Sequence, residues 1–174
     1  LQNKVALITG GGQGVGQGIA LALAKQGANV VVTGRTLEKC ETTANMLRER
    51  GVQALALRCN VKSAEDLENI INKTIAEFGQ LDILVNNAQE VPNGELLDVT
   101  DEAFVAGFES GPLATLRLMK LAHPHMVARG GGTIFNLVSS VIKRWDMTGY
   151  GAYAATKSAI QSLTRGAAAE WGKD

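Results

Sequence analysis

Five short apolar runs, each separated from the next by an amphipathic stretch, constrain this chain more than any other feature. The runs are KVALIT (4–9), ANVVVTG (28–34), VQALALRC (52–59), LDILVN (81–86) and GTIFNLVS (132–139). They are nearly unbroken by polar residues, as strands buried on both faces are. The intervening spacing predicts helices over 14–27, 36–51, 63–79, 101–129 and 150–171. Gly27 and Gly51 serve as helix stops, and Ser63 is a candidate N-cap with Asp66 three residues on. In 63–79, Leu67, Ile70, Ile71, Ile75 and Phe78 recur at helical spacing.

Strands alternating with helices, and apolar on both faces, require a parallel sheet covered on both sides. With right-handed crossovers this is an α/β, doubly wound, Rossmann-like fold. No repeat, low-complexity tract or domain boundary interrupts it, so residues 1–174 read as one domain. Ligands in such folds bind beyond the carboxyl ends of the strands. Here those ends are Thr9–Gly10, Thr33–Gly34, Asn60, Asn86–Asn87 and Ser139–Ser140.

Composition narrows the function. Lys plus Arg equals Asp plus Glu at 17 each, which argues against a nucleic-acid partner. No apolar run reaches the roughly 18–20 residues that span a bilayer, and no signal peptide is read at the N-terminus. Cys40 and Cys59 have no metal-ligand spacing. They read as reduced structural thiols of a cytoplasmic protein, with a reactive role as the alternative.

TGGGQGVG (9–16) joins the first strand to the first helix. No register of G-x-G-x-x-G fits; Thr9, Gly10, Gly14 and Gly16 satisfy T-G-x-x-x-G-x-G. Gly10 can turn tightly off the strand. Gly14 and Gly16 let the backbone approach a pyrophosphate, and the helix N-terminus offers free N–H groups. Gly12, Gln13 and Val15 complete this expected cofactor contact. There is no G-K-[ST], which disfavours a triphosphate P-loop. The alternative is a loop that is merely glycine-rich. At the second strand's end, an acid for the ribose 2′-hydroxyl is missing, and Arg35 follows Gly34. A guanidinium can fork onto a 2′-phosphate, so NADP(H) is favoured over NAD(H). Gln13 in place of a basic residue weakens that preference, and Arg35 can also be a solvated helix-start residue.

Tyr153 and Lys157 are four residues apart on the last predicted helix, so their side chains share a face. A phenol with pKa near 10 relays protons poorly at neutral pH, and moving it to about 7 requires roughly 4 kcal/mol. A cation about 4 Å away at an effective dielectric near 20 supplies about that much. Ser140 stands thirteen residues before Tyr153, at the end of the fifth strand.

The chain resembles the short-chain dehydrogenase/reductase family along all 174 residues. The resemblance rests on TGGGQGVG (9–16), N-V (60–61), N-N-A (86–88), Ser140 and Y-A-A-T-K (153–157), in order and on the appropriate elements. It implies hydride transfer between a nicotinamide cofactor and a small-molecule carbonyl or alcohol. Tyr153 would be the acid in reduction and the base in oxidation. Lys157 would lower the Tyr153 pKa and hold the nicotinamide ribose, and Ser140 would bind the substrate oxygen. Asn60 and Val61 would sit near the adenine, and Asn87 near the adenosine-side ribose. The family often pairs its helices between subunits. A homodimer or homotetramer through 101–129 and 150–171 is therefore expected, with Leu116, Met119, Ile160 and Leu163 as candidate interface residues and core packing as the alternative. Val141, Trp145, Met147 and Tyr150 are the visible candidates for choosing a substrate. Ser139 is expected to face away from the site, His123 and His125 to cap or face solvent rather than bind metal, and Thr156 to bond locally.

Three departures from the family pattern stand out. The family's helix asparagine, counted from Phe104, is Gly111, followed by Pro112. N-N-A-G reads N-N-A-Q, so Gln89 is strained if its backbone needs positive φ, and it can reach into the pocket. The chain ends at AAAEWGKD, where family members continue, so a C-terminal third with the substrate lid is expected to be missing. Beside an active reductase stands a catalytically impaired nucleotide-binding scaffold or sensor; dehydratase or epimerase chemistry ranks lower.

Overall fold

The computed structural model describes residues 1–144 and 146–173; Trp145, expected at the substrate wall, lies outside the described residues. The elements follow in order as β1 (Val5–Thr9), α1 (Gly14–Lys25), β2 (Asn29–Gly34), α2 (Leu37–Arg48), β3 (Ala54–Arg58), α3 (Ala64–Phe78), β4 (Ile83–Asn86), α4 (Asp101–Phe108), α5 (Ala114–Val127), β5 (Thr133–Asn136) and α6 (Gly151–Trp171). The five strands form one parallel sheet of order β3-β2-β1-β4-β5.

Side-chain alternation explains why both faces are covered. Ala6 and Ile8 of β1 join Val30, Val32, Ala20 and Leu47 on the α1–α2 side. Leu7, between them in sequence, points the other way and packs with Val31, Leu84, Leu67, Ile70 and Leu118 under α3 and α5. The α3 helix begins as its sequence predicts, since the Ser63 side chain accepts from the Asp66 N–H at 3.1 Å. It ends at Gly79 in the left-handed conformation, φ 71°. The Asp66 carboxylate accepts the Asn60 N–H at 2.8 Å and so ties the β3 exit to α3.

The expected single helix over 101–129 is interrupted. A π-helical turn at Glu109–Leu113 separates α4 from α5, with Pro112 inside it. Proline has no N–H to return to the carbonyl four residues back, and the wider turn absorbs the gap without ending the helix. The fifth strand is shorter than expected. It stops at Asn136, and Ser140 opens a 3-10 turn (Ser140–Ile142). Met119 and Ile160, offered as interface residues, are buried in this chain's own core, so packing decides their role. Leu116 and Leu163 are half-buried. Phe104, Val105 and Leu113, on the same helical segment, are exposed. No helix among the described residues is long and apolar enough to cross a membrane.

Candidate active site

A cleft of about 450 Å³ opens at the strand ends where the order of strand addition switches sides, between β1 and β4. Its floor is the loop from β1 to α1. Gly10 and Gly14 have φ of 64° and 56°, a region that strains any side chain. A Cβ at Gly16 would strike the Gly10 carbonyl oxygen and approach the Asn87 amide nitrogen to 2.6 Å. The glycines therefore bring α1 down onto the strand ends. Gln13 precedes α1 without giving it a side-chain cap, and the first turn holds no acid. Its N–H groups and partial positive charge are left for an anion, with Val15 exposed at the rim.

Asn87 shapes this loop from the opposite strand. Its side-chain amide donates to the Thr9 carbonyl at 2.9 Å and the Gly10 carbonyl at 3.2 Å. The Thr9 hydroxyl accepts in return from the Asn87 and Ala88 N–H groups. Asn60 and Val61 line the far end, and the Asn60 side chain accepts from the Lys62 N–H at 3.2 Å. Gly12, Gln13, Gly14, Val15, Arg35 and Asn87 line the same cleft, while Gly16 lies behind its lining. Both cysteines line it as well and are free thiols. Burial pushes Cys40 up and Cys59 up to about 12, which keeps them protonated and unreactive.

Arg35 is not a free cation. Its guanidinium donates to Glu90 at 3.0 Å, and Lys62 bonds the other oxygen of that carboxylate at 3.2 Å. The Glu90 N–H is fixed by the Ser110 hydroxyl at 3.0 Å. Glu90 escaped sequence reasoning because its partners are 55 and 28 residues away. The nearest signal was an acid directly after Gln89.

Tyr153, Lys157 and Ser140 do not line the cleft. They gather beside it, at the start of α6 and the end of β5. Lys157 is 4% exposed, donates to the Leu137 carbonyl at 2.6 Å, and sits 5.5 Å from the centre of the Tyr153 ring. Burial pushes this ammonium down to about 8. At Tyr153, burial raises the pKa while hydrogen bonding with Ser139 pulls it back, and the net direction is upward. The expected lowering by Lys157 is thus not expressed in this arrangement: the ammonium turns to the Leu137 carbonyl. Ser139, expected to face away, is the serine that acts on Tyr153, whereas Ser140 is exposed in the 3-10 turn. The strand ends three residues before Ser139, so strand alternation no longer governs which way it points.

Two further groups set α6. The Asn86 amide donates to Asn136 at 2.8 Å, and Asn136 donates to the Thr164 hydroxyl at 2.9 Å, tying β4, β5 and α6 together. Gln89 lines the cleft and donates to the Thr156 hydroxyl at 2.5 Å, linking the cleft to the tyrosine cluster. Its backbone is unstrained, since Asn3 is the one non-glycine residue with positive φ among the described residues. Tyr150 packs edge-on to Tyr153 at 6.5 Å, and His123 stacks with Trp171 at 4.8 Å. No His, Cys, Asp and Glu grouping suited to a metal occurs among the described residues.

The family described as short chain dehydrogenase matches residues 4–174. The chain is 39% identical to 12alpha-hydroxysteroid dehydrogenase of a Clostridium species, over 98% of this chain and 68% of that protein. It is 33% identical to hydroxynaphthalene reductase of Aspergillus fumigatus, over 99% of this chain and 63% of that protein. Among solved structures, a 7alpha-hydroxysteroid dehydrogenase complexed with NADH and 7-oxo glycochenodeoxycholic acid superposes with a TM-score of 0.94 at 31% identity, covering 99% of this chain and 67% of that one. An archaeal alcohol dehydrogenase from Thermococcus sibiricus complexed with 5-hydroxy-NADP gives 0.89 at 29%, covering 98% and 72%. The chain therefore spans about two thirds of the length of these proteins.

Proposed function

The chain belongs to the short-chain dehydrogenase/reductase family, and from that premise we propose that it is an oxidoreductase moving a hydride between NADP(H) and a carbonyl or alcohol, with Tyr153 as the acid/base. The observation that carries this reading is the pairing of two features. One is an uncapped, acid-free, glycine-cradled helix N-terminus; the other is a buried lysine beside a tyrosine at the next strand ends. The first fits a pyrophosphate, because the α1 N–H groups have no side-chain cap, the close seating of Gly16 under the Gly10 carbonyl brings that helix end down to the strand ends, and no carboxylate stands in its first turn. When bound, the nicotinamide supplies or accepts the hydride.

The chain's own residues handle the rest. Gly10, Gly12, Gln13, Gly14 and Val15 receive the phosphates, Gly16 lets α1 seat close behind them, and Asn60, Val61 and Asn87 frame the adenosine end. Tyr153 gives its hydroxyl proton to the substrate oxygen in reduction and takes it back in oxidation. Lys157 stabilises the phenolate once its ammonium leaves the Leu137 carbonyl. Ser139 or Ser140 hydrogen-bonds the substrate oxygen, with Val141, Met147 and Tyr150 along the substrate wall. NADP(H) is preferred because Arg35 and Lys62 can exchange the Glu90 carboxylate for a 2′-phosphate. Exposed Phe104, Val105 and Leu113 support a homo-oligomer through the helices at 101–129.

The test is NADPH oxidation against a panel of ketones, with Tyr153→Phe as the control. Turnover that falls at least about a hundredfold in the variant, with NADPH binding retained, supports the reading. A second reading, an impaired nucleotide-binding scaffold, is favoured by the upward shift at Tyr153 and the engagement of Lys157 by Leu137. Tight NADPH binding with no turnover of any substrate would establish it instead.

A further inference from the structure

Gly111 and Gln89 occupy one small volume between the π-helical turn and α6. A Cβ added at Gly111 would lie 2.7 Å from the Gln89 amide nitrogen and 2.8 Å from its carboxamide carbon. The Gln89 side chain thus fills the space that any side chain at 111 would take. Its amide donates to the Thr156 hydroxyl at 2.5 Å, and that hydroxyl donates to the Tyr153 carbonyl at 2.7 Å. Thr156 has its proton committed to the carbonyl, so it must accept from Gln89, which fixes the amide's orientation. The Gln89 carbonyl oxygen is then left buried with no hydrogen-bond partner. A buried unpaired acceptor is costly, so a carboxamide here is poorly explained as filler, for which an apolar side chain of similar size would serve.

We propose that Gln89 is a positioning residue: its carboxamide, seated over Gly111, acts through Thr156 to hold the first turn of α6, and with it the Tyr153 hydroxyl, in the working position. The proposal deepens the oxidoreductase reading and rests on it. The segment from β4 to α4 that forms the cleft wall is thereby mechanically joined to the tyrosine. Around the Tyr153 hydroxyl, Ser139 from the β5–α6 connection supplies the polar contact, while Lys157 and Tyr150 are its titratable neighbours. A small rotation of the α6 start changes all three relations together.

In a Tyr150→Phe background, the 13C-tyrosine NMR signal that disappears on Tyr153→Phe reports Tyr153, without needing turnover. Gln89→Met keeps the bulk and removes both amide groups. The expected result is an upward movement of the Tyr153 titration by about half a pH unit or more, because the Ser139 bond that favours the phenolate is loosened. Thr156→Val, which removes the acceptor and leaves Gln89 in place, should move it the same way. The exchange Gln89→Gly with Gly111→Asn returns a carboxamide to the same volume from the other wall and should restore most of the shift, whereas Gly111→Asn alone should not. Unmoved titrations in both Gln89→Met and Thr156→Val, with only the melting temperature lowered, would overturn the proposal. If the titration moves but no carbonyl is ever reduced, the positioning stands and the oxidoreductase reading fails. If the protein turns over and kcat and its pH profile are the same in Gln89→Met, the proposal fails and the reading stands.

Discussion

Lys157 should destabilise the protein that contains it. Its ammonium is 4% exposed and burial holds its pKa at about 8 against an ordinary value of 10.5. A fall of this size corresponds to about 3 kcal/mol borne by the folded state when the group is charged. The sign follows from proton uptake. Below pH 8 both states carry the proton and the full burden is present. Between pH 8 and about 10.5 the unfolded chain holds the proton and the folded chain does not, so stability rises with pH until the burden is gone. Lys157→Met removes the charge at nearly constant bulk. It also forfeits the hydrogen bond to the Leu137 carbonyl, a loss of about 1 kcal/mol. Urea unfolding without nucleotide should therefore show the variant more stable by about 2 kcal/mol at pH 7, with the advantage gone near pH 10.5. Carbonyl reduction should be lost throughout. A variant less stable than its parent at pH 7, or a difference that does not change with pH, would refute the argument that burial of this charge dominates its energetics.

Three other outcomes are expected. Gly16→Ala forces a methyl against the Gly10 carbonyl and Asn87, and should weaken NADPH binding at least about tenfold while lowering stability by roughly 1–3 kcal/mol, read by calorimetric titration and urea unfolding. Ser139→Ala should raise the Tyr153 pKa and lower kcat by about tenfold or more, with a smaller effect from Ser140→Ala; equal loss in both would show that the substrate reorganises this turn. Glu90→Gln frees Arg35 and Lys62, and should lower KM for NADPH about threefold or more at low salt while leaving KM for NADH unchanged.

The features legible in the sequence were those carried by local pattern. Buried parallel strands declare themselves as apolar runs such as VALIT and NVVVTG, and Gly79 marks a helix end by a conformation that other residues avoid. The glycine loop was readable because close approach of backbone demands glycine wherever it occurs. What pattern missed was set by contacts between distant segments. The Arg35–Glu90–Lys62 group joins three separate loops, and no one of them reveals the others. At the β5 boundary Asn136 bonds across to Asn86 and Thr164, contacts that the run continuing through Leu137 and Val138 does not announce. Gly111 and Gln89 each looked like a departure when taken alone. The structure shows one side chain occupying the other's space, which is a relation between positions rather than a property of either.

The strand order also carries a timetable. β1 is the centre of the sheet, and β2 and β3 add to one side of it before β4 and β5 add to the other. A ribosome emitting roughly 5–20 residues per second would release the glycine-loop floor of the cleft and its wall at the β2 and β3 ends first, and the opposite wall at Asn87 some seconds later. Until then the Thr9 and Gly10 carbonyls lack the Asn87 amide that holds them. During synthesis the nucleotide would first meet an open half-cradle, and its affinity should appear in one step when β4 docks. Chain-length variants that stop before and after Asn87 would separate those two stages.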